Sequence, residues 1–181
     1  MELEKGTQEN SVPVKVSGGI INELSSKIPS NIFALNELVK NAYDAFSEKV
    51  VVSMDFNKEI IEITDTGNGM NRQAIENLFH IASSKKKYGE QITQNNVTRY
   101  VQGSKGLGFL AAFKFGNKVK WETNSKDIKY VFEVLKTEIT DMDNITDYEV
   151  YIQESPSATV GTKITVFSNK DTIEELVDYF E

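Results

Sequence analysis

Glu37-Leu38-Val39-Lys40-Asn41-Ala42-Tyr43-Asp44-Ala45-Phe46 is the segment from which the remainder of the chain can be ordered. At about 100° per residue on a helix, Leu35, Leu38, Val39, Ala42, Ala45 and Phe46 form one apolar arc, and Glu37, Asn41 and Asp44 line up in a narrow stripe beside it. Lys40, Asn36 and Ser47 fall in a third sector. An ordinary surface helix mixes its acids with lysine and serine on one solvated face, so an acid–amide–acid stripe beside the apolar arc predicts polar groups aimed into a cleft. The competing reading is a surface helix with three polar residues by chance, and other motifs must decide between them.

Upstream, Pro29 and Ser30 mark a helix start, with Ser30 or Asn31 as N-cap of a helix running to about Glu48. Before it, Val12, Val14 and Val16 alternate as a short strand would, and Gly18-Gly19 ends them, so residues 1–18 are expected to form an N-terminal arm. Downstream, Val50 to Phe56 and Ile60 to Thr64 are β-rich runs joined as a hairpin by Asn57-Lys58-Glu59. The second run ends in Asp65-Thr66-Gly67-Asn68-Gly69-Met70. Asn71 can cap a helix through Phe79 that carries Ile75, Leu78 and Phe79 inward. Ser83 to Gln102 is polar and without a packing period, which predicts a lid or binding segment over 83–105. Gly103-Ser104-Lys105-Gly106-Leu107-Gly108 then opens into an apolar helix from Phe109 to Phe115, stopped by Gly116. Strand-like runs at Lys118–Thr123, Ile128–Leu135, Tyr148–Gln153 and Thr162–Phe167 follow, and Asp171 to Phe180 is a closing helix. This order predicts an α/β two-layer sandwich, its sheet mixed or mostly antiparallel with helices on one face.

The chain has 181 residues, 39% of them hydrophobic, enough for one substantial core and too few for two. A single domain over residues 1–181 is expected. Its net charge of −7, with charges dispersed, makes nucleic acid an unlikely partner through this domain. Cysteine is absent, so disulfide and thiolate chemistry are excluded, in keeping with a reducing cytoplasm. No apolar run approaches the ~20 residues of a membrane span, and MELEKGTQEN lacks a signal-peptide pattern. A soluble, cytoplasmic protein is expected.

A glycine-rich turn at a helix start offers free backbone N–H groups to phosphate, and Gly103-x-x-Gly106-x-Gly108 is placed to do so, with Lys105 adding positive charge. A flexible hinge before a buried helix is the alternative. There is no P-loop signature. Gly106-Leu107-Gly108-Phe109-Leu110-Ala111 matches a dinucleotide pattern, but polar loop rather than strand precedes it. Asp65, at the end of an apolar strand, accepts hydrogen bonds only and calls for a donor such as a ligand amino group. A water-facing turn acid is its bland reading. His80 is the only histidine, which removes a histidine metal cluster and a Ser-His-Asp triad. Lys85 to Lys87 read as a solvated face of the lid.

Together, Glu37-Leu-Val-Lys-Asn41-Ala-Tyr-Asp44-Ala, Asp65-Thr-Gly-Asn-Gly69-Met70, Gly103-x-x-Gly106-x-Gly108 and Gly161-Thr162-Lys163 resemble the four ordered motifs of the GHKL superfamily, the ATP-binding Bergerat fold of gyrase, Hsp90, histidine kinases and MutL. Ile75 to Ser84 resembles the stretch leading into the Hsp90 lid, favouring Hsp90-like and MORC-like ATPases. The resemblance implies ATP or ADP with Mg²⁺ as cofactors and assigns roles. Asn41 would hold the metal, Asp65 would accept from the adenine amino group, and Thr162 would support it through water. Met70 and neighbouring apolar residues would pack on the base, Asn77 would lie near ribose or phosphate, and Gly69, Ser84, Lys85 and Lys105 would be further nucleotide-binding residues. The amides of Gly106, Leu107, Gly108 and Phe109 would cradle those phosphates. Glu37, four residues before Asn41 on one helical face, would activate the attacking water, with Asp44 a supporting acid.

In this family a basic residue from a following domain reaches the γ-phosphate, and the chain stops at Glu181. The expectation is therefore an N-terminal part of a longer protein that binds nucleotide well and hydrolyses it slowly, unless Lys105 or Lys85 substitutes. ATP-driven lid closure with homodimerisation is implied, with further domains or protein clients as partners. The alternatives are a histidine kinase-type catalytic domain and a nucleotide-sensing module without catalysis.

Overall fold

The computed structural model describes residues 14–81, 87–103, 106 and 108–180. Along the chain these form α1 (Ile20–Ser26), α2 (Asn31–Asp44), β1 (Val50–Asp55), β2 (Ile60–Asp65), α3 (Arg72–Leu78), β3 (Gln91–Gln94), β4 (Val97–Tyr100), α4 (Gly108–Ala112), β5 (Lys118–Ser125), β6 (Ile128–Leu135), α5 (Lys136–Thr140), β7 (Gln153–Pro156), β8 (Gly161–Phe167) and α6 (Lys170–Phe180).

Local chemistry sets the ends of the central elements. The Ser30 hydroxyl accepts from the Phe33 amide at 3.3 Å, and the Asn71 side-chain oxygen Oδ1 accepts from the Ala74 amide at 2.9 Å, so α2 and α3 start where their caps predict. α2 stops at Asp44, short of Glu48. Phe46 takes the left-handed conformation (φ 62°), and the Ser47 amide donates back to the Ala42 carbonyl.

β1, β2, β8, β5, β6 and β7 lie side by side in that order, antiparallel throughout. The chain's last strand thus sits inside the sheet, between β2 and β5. Burial alternates along β5, where Val119, Trp121 and Thr123 face inward and are essentially inaccessible. They share their face with Ile61 and Ile63 of β2 and Val166 of β8, under Leu35, Leu38, Phe109 and Leu110. The opposite face carries a lattice of ions in which Glu122 meets Lys129 at 2.7 Å, Lys120 at 3.5 Å and Lys163 at 3.6 Å, and Lys163 meets Glu62 at 3.1 Å. Helices therefore cover one face, and the α/β two-layer sandwich stands.

Four expectations are corrected. Val14 to Ser17 form no strand, although the Val16 carbonyl accepts from Ile145 and Gly18 donates to Met142 (Val12 and the rest of residues 1–13 lie outside the described residues). Gly18-Gly19 leads into a helix, because a side chain at Gly18 would lie 1.7 Å from the Ile139 carbonyl oxygen and only glycine allows that approach. The polar stretch predicted as an unstructured lid contains the β3–β4 hairpin, turned by Asn95 and Asn96 with φ of 47° and 63°. Two successive left-handed residues suit the twist of a two-residue hairpin. Tyr148 to Ile152 is not a strand; β6 pairs with Gln153–Pro156 instead, and a short helix α5 intervenes.

Candidate functional site

The site is assembled by cross-strand register. Asp65 on β2 pairs with Thr162 on β8, and Thr162 pairs with Thr123 on β5, so the three side chains form a row on the helix-covered face. The turn after Asp65 folds over one end of this row. Gly67 donates to Asp65 Oδ1 at 2.8 Å and packs on the end of α2, where the Asn68 amide meets the Ala45 carbonyl at 2.8 Å. Gly69 is left-handed (φ 65°), and a side chain there would strike the Asn124 carbonyl. The Met70 amide then donates to Thr123 Oγ1 at 2.8 Å, while the Met70 side chain lies half-buried against the core.

Asp65 is half-buried. Burial pushes its carboxyl above the ordinary carboxylate value, opposed by hydrogen bonds from the amides of Gly67 and Thr162. The resemblance has Thr162 supporting Asp65 through water; in the structure the Thr162 amide also bonds Asp65 directly, and the Thr162 hydroxyl meets Thr123 Oγ1 at 2.9 Å.

α2 supplies the other wall. The Asp44 carboxylate accepts from the amides of Gln102 and Gly103 at 2.8 and 2.9 Å, which draws the glycine-rich turn onto the helix. Asn41 lies directly beneath. A side chain at Gly103 would come within 3.0 Å of Asn41 Oδ1, and one at Gly108 within 2.6 Å of Nδ2. The glycines are thus spaces around an amide. Gly106 is left-handed (φ 64°) and partly accessible, and Phe109 is buried with its ring edge-on to Phe79 and Phe113. Ser84, Lys85, Lys105 and Leu107 lie outside the described residues.

Glu37 sits one turn before Asn41. Its Oε1 receives Lys40 Nζ at 2.9 Å, so Lys40, expected in a separate sector, joins the stripe. Asn77 is exposed on α3, and among the described residues no hydrogen bond joins its side chain to this row. Among those residues no three His, Cys, Asp or Glu side chains converge as metal ligands.

Sequence reading missed three contributors. Thr123 looks like any inward strand residue until register places it beside Thr162. Gln94 exchanges two amide hydrogen bonds with Asn68, at 2.7 and 2.9 Å, tying the hairpin to the Asp65 turn. Arg99 donates to the carbonyls of Tyr43 and Ser47 at 2.7 and 3.0 Å, and its guanidinium lies over the Tyr43 and Phe46 rings. The Asn95-Asn96 turn was the available signal for the hairpin that carries Gln94 and Arg99.

This arrangement has counterparts. The chain is 29% identical over 99% of its length to an endoplasmin homolog of Caenorhabditis elegans, and 30% identical over 89% to the chaperone protein HtpG of Oceanobacillus iheyensis. It is also 30% identical over 84% to a protein of Herpetosiphon aurantiacus that carries the name of a type II restriction enzyme, HgiDII. In each case it spans about a quarter of the relative. Residues 30–166, from the cap of α2 to the interior strand β8, match the family described as histidine kinase-, DNA gyrase B- and HSP90-like ATPases, and to that family this chain, with its Bergerat fold, belongs.

Proposed function

We propose that this domain binds Mg²⁺ with ATP and hydrolyses it slowly to ADP and phosphate, driving a conformational or dimerisation cycle. The observation that carries this reading is the wall around Asn41. Its amide makes no hydrogen bond among the described residues; Gly103 and Gly108 leave it room where a side chain would crowd it, and Asp44 holds the Gln102–Gly103 turn beside it. Such a group fits a Mg-nucleotide, because Mg²⁺ takes few protein ligands and fills its shell with phosphate oxygens and water. When bound, the metal would neutralise phosphate charge.

The chain's own groups do the rest. Asp65 accepts from the base amino group, Met70 covers the ring, and the backbone from Gly106 to Phe109 meets the phosphates. Glu37 takes the proton of the attacking water. Lys40 anchors its Oε1, which leaves Oε2, without a partner among the described residues, to face that water.

The test is calorimetric titration of Mg-ADP and a non-hydrolysable ATP analogue, with phosphate release measured in parallel. Asp65→Asn should abolish binding, Asn41→Ala should remove its Mg²⁺ dependence, and Glu37→Gln should bind normally but release phosphate at least ~100-fold more slowly, as expected on losing a positioned base. Normal turnover by Glu37→Gln would remove Glu37 as the base, binding with no phosphate release by the wild type would leave a sensing module, and phosphate transfer to a protein histidine would indicate a kinase. Absence of binding by the wild type would overturn the proposal itself.

A further inference from the structure

The row Asp65–Thr162–Thr123 contains a hydrogen-bond count with one solution. Thr123 is fully buried, and its hydroxyl has two neighbours, the Met70 amide at 2.8 Å and Thr162 Oγ1 at 2.9 Å. An amide can only donate, so Thr123 accepts from Met70. Among the described residues its own proton then has one acceptor within reach, Thr162 Oγ1. The opposite arrangement, with Thr162 donating, would leave a buried hydroxyl proton without a partner, at a cost above that of any ordinary hydrogen bond gained. Thr162 is therefore an acceptor toward Thr123 and keeps its proton for another group. That group is not Asp65, whose carboxylate takes the amides of Gly67 and Thr162 rather than this hydroxyl. Thr162 is 9 % exposed, so a ligand can reach it, and the proton that Thr123 does not take is the one it can offer.

We propose that Thr123 is a positioning residue that sets the polarity of base recognition: it fixes the Thr162 hydroxyl as a donor beside the Asp65 acceptor, so the pocket selects a ring presenting a donor next to an acceptor. Adenine presents its amino group beside a ring nitrogen that accepts. Guanine and hypoxanthine present a carbonyl oxygen in place of the amino group, which meets the Asp65 carboxylate as acceptor against acceptor. Asp65 rejects that carbonyl, and Thr123, which does not touch the ligand, sets the donor that meets the neighbouring ring nitrogen. This inference rests on the nucleotide reading above and extends it from binding to selectivity.

The experiment compares Mg-ADP with its 1-deaza and 7-deaza analogues, each lacking one ring acceptor, in the wild type, Thr123→Val, Thr123→Ser and Asp65→Asn. In the wild type one analogue should bind about three- to tenfold more weakly than Mg-ADP, the range of one lost hydrogen bond. Thr123→Val should bring that ratio close to one, because the freed Thr162 hydroxyl can turn either way, and Thr123→Ser should restore it. Thr123→Val will also loosen the Met70 amide, but that weakens all three ligands alike and leaves the ratio unchanged. An undiminished ratio in Thr123→Val, equal losses for all ligands, or no analogue effect in the wild type would each overturn the proposal. Failure of the underlying reading looks different: the wild type would not bind Mg-ADP, or Asp65→Asn would bind it equally well.

Discussion

Asp65 is poised between two environments, and its titration reports which one wins. Burial raises its carboxyl above the ordinary value, whereas a bound amino donor favours the charged form and lowers it again. Protons should therefore be released on Mg-ADP binding in the window just above the ordinary carboxylate value, and affinity should weaken as pH falls through that window. Calorimetry in buffers of differing ionisation enthalpy checks this, and binding by the wild type with no net proton release across that window would rule Asp65 out as its source. Gly108 offers a second residue-scale test. It opens a helix with an ordinary φ, so Gly108→Ala should leave stability unchanged or raise it by ~0.5–1 kcal/mol through lower chain entropy. The added methyl lies 2.6 Å from Asn41 Nδ2 and must displace it, so affinity for Mg-ADP should fall at least ~10-fold while the unfolding midpoint holds. A coupled fall in both would mean the glycine serves the fold and not the site.

Among the elements, the β3–β4 hairpin has few ties to the rest of the molecule, and Arg99 makes several of them. Its two hydrogen bonds cap carbonyls at the C-terminal end of α2, where a cation also suits the helix dipole. Arg99→Ala should accelerate amide exchange across residues 91–100 by about 10- to 100-fold, corresponding to ~1–3 kcal/mol of local opening, with little change in exchange of β5 and β8. Unchanged hairpin protection would show that the Asn68–Gln94 pair suffices. What could be read from the sequence divides along the same line. Caps and hairpins whose cause lies within a few residues, at Ser30, Asn71 and Asn57 to Glu59, were legible. So was helix α1 in principle, since Ile21, Leu24, Ser25 and Ile28 follow the helical period, but two glycines read as a break hid it. The polar stripe of Glu37, Asn41 and Asp44 was visible as a pattern, and Asp44's hold on Gly103 was not, because the partner is a backbone amide some sixty residues away. Thr123 escaped for the same reason: its meaning is a register, and register is not written in β5 alone.

At the scale of the whole molecule, the ion lattice on the uncovered sheet face ties stability to pH. Hydrogen bonding to Lys129, with Lys120 and Lys163 nearby, holds Glu122 below the ordinary carboxylate value. A depressed acid contributes stability that is present above its unfolded value and is lost as pH falls through the folded one. Lys163 runs the other way. Its hydrogen bond to Glu62 raises it, so its contribution is present below the unfolded lysine value and lost as pH rises through the folded one. Glu122→Gln should flatten the acid limb of the unfolding midpoint, and added salt should shrink the difference from wild type; these are exposed pairs, so the effect is ~1 kcal/mol or less. An acid limb unchanged in Glu122→Gln would place the sensitivity elsewhere. The interior position of β8 has a consequence in time. Lys163 reaches across to Glu62 over a separation of 101 residues, and both neighbours of β8 wait for it. During synthesis the N-terminal hairpin and the Trp121 strand leave the ribosome with the edges that β8 will join unpaired, and the row proposed to read the base does not exist until Thr162 emerges. Nucleotide therefore cannot assist the early steps of folding; it can only slow the reverse journey once the last strand has closed the sheet.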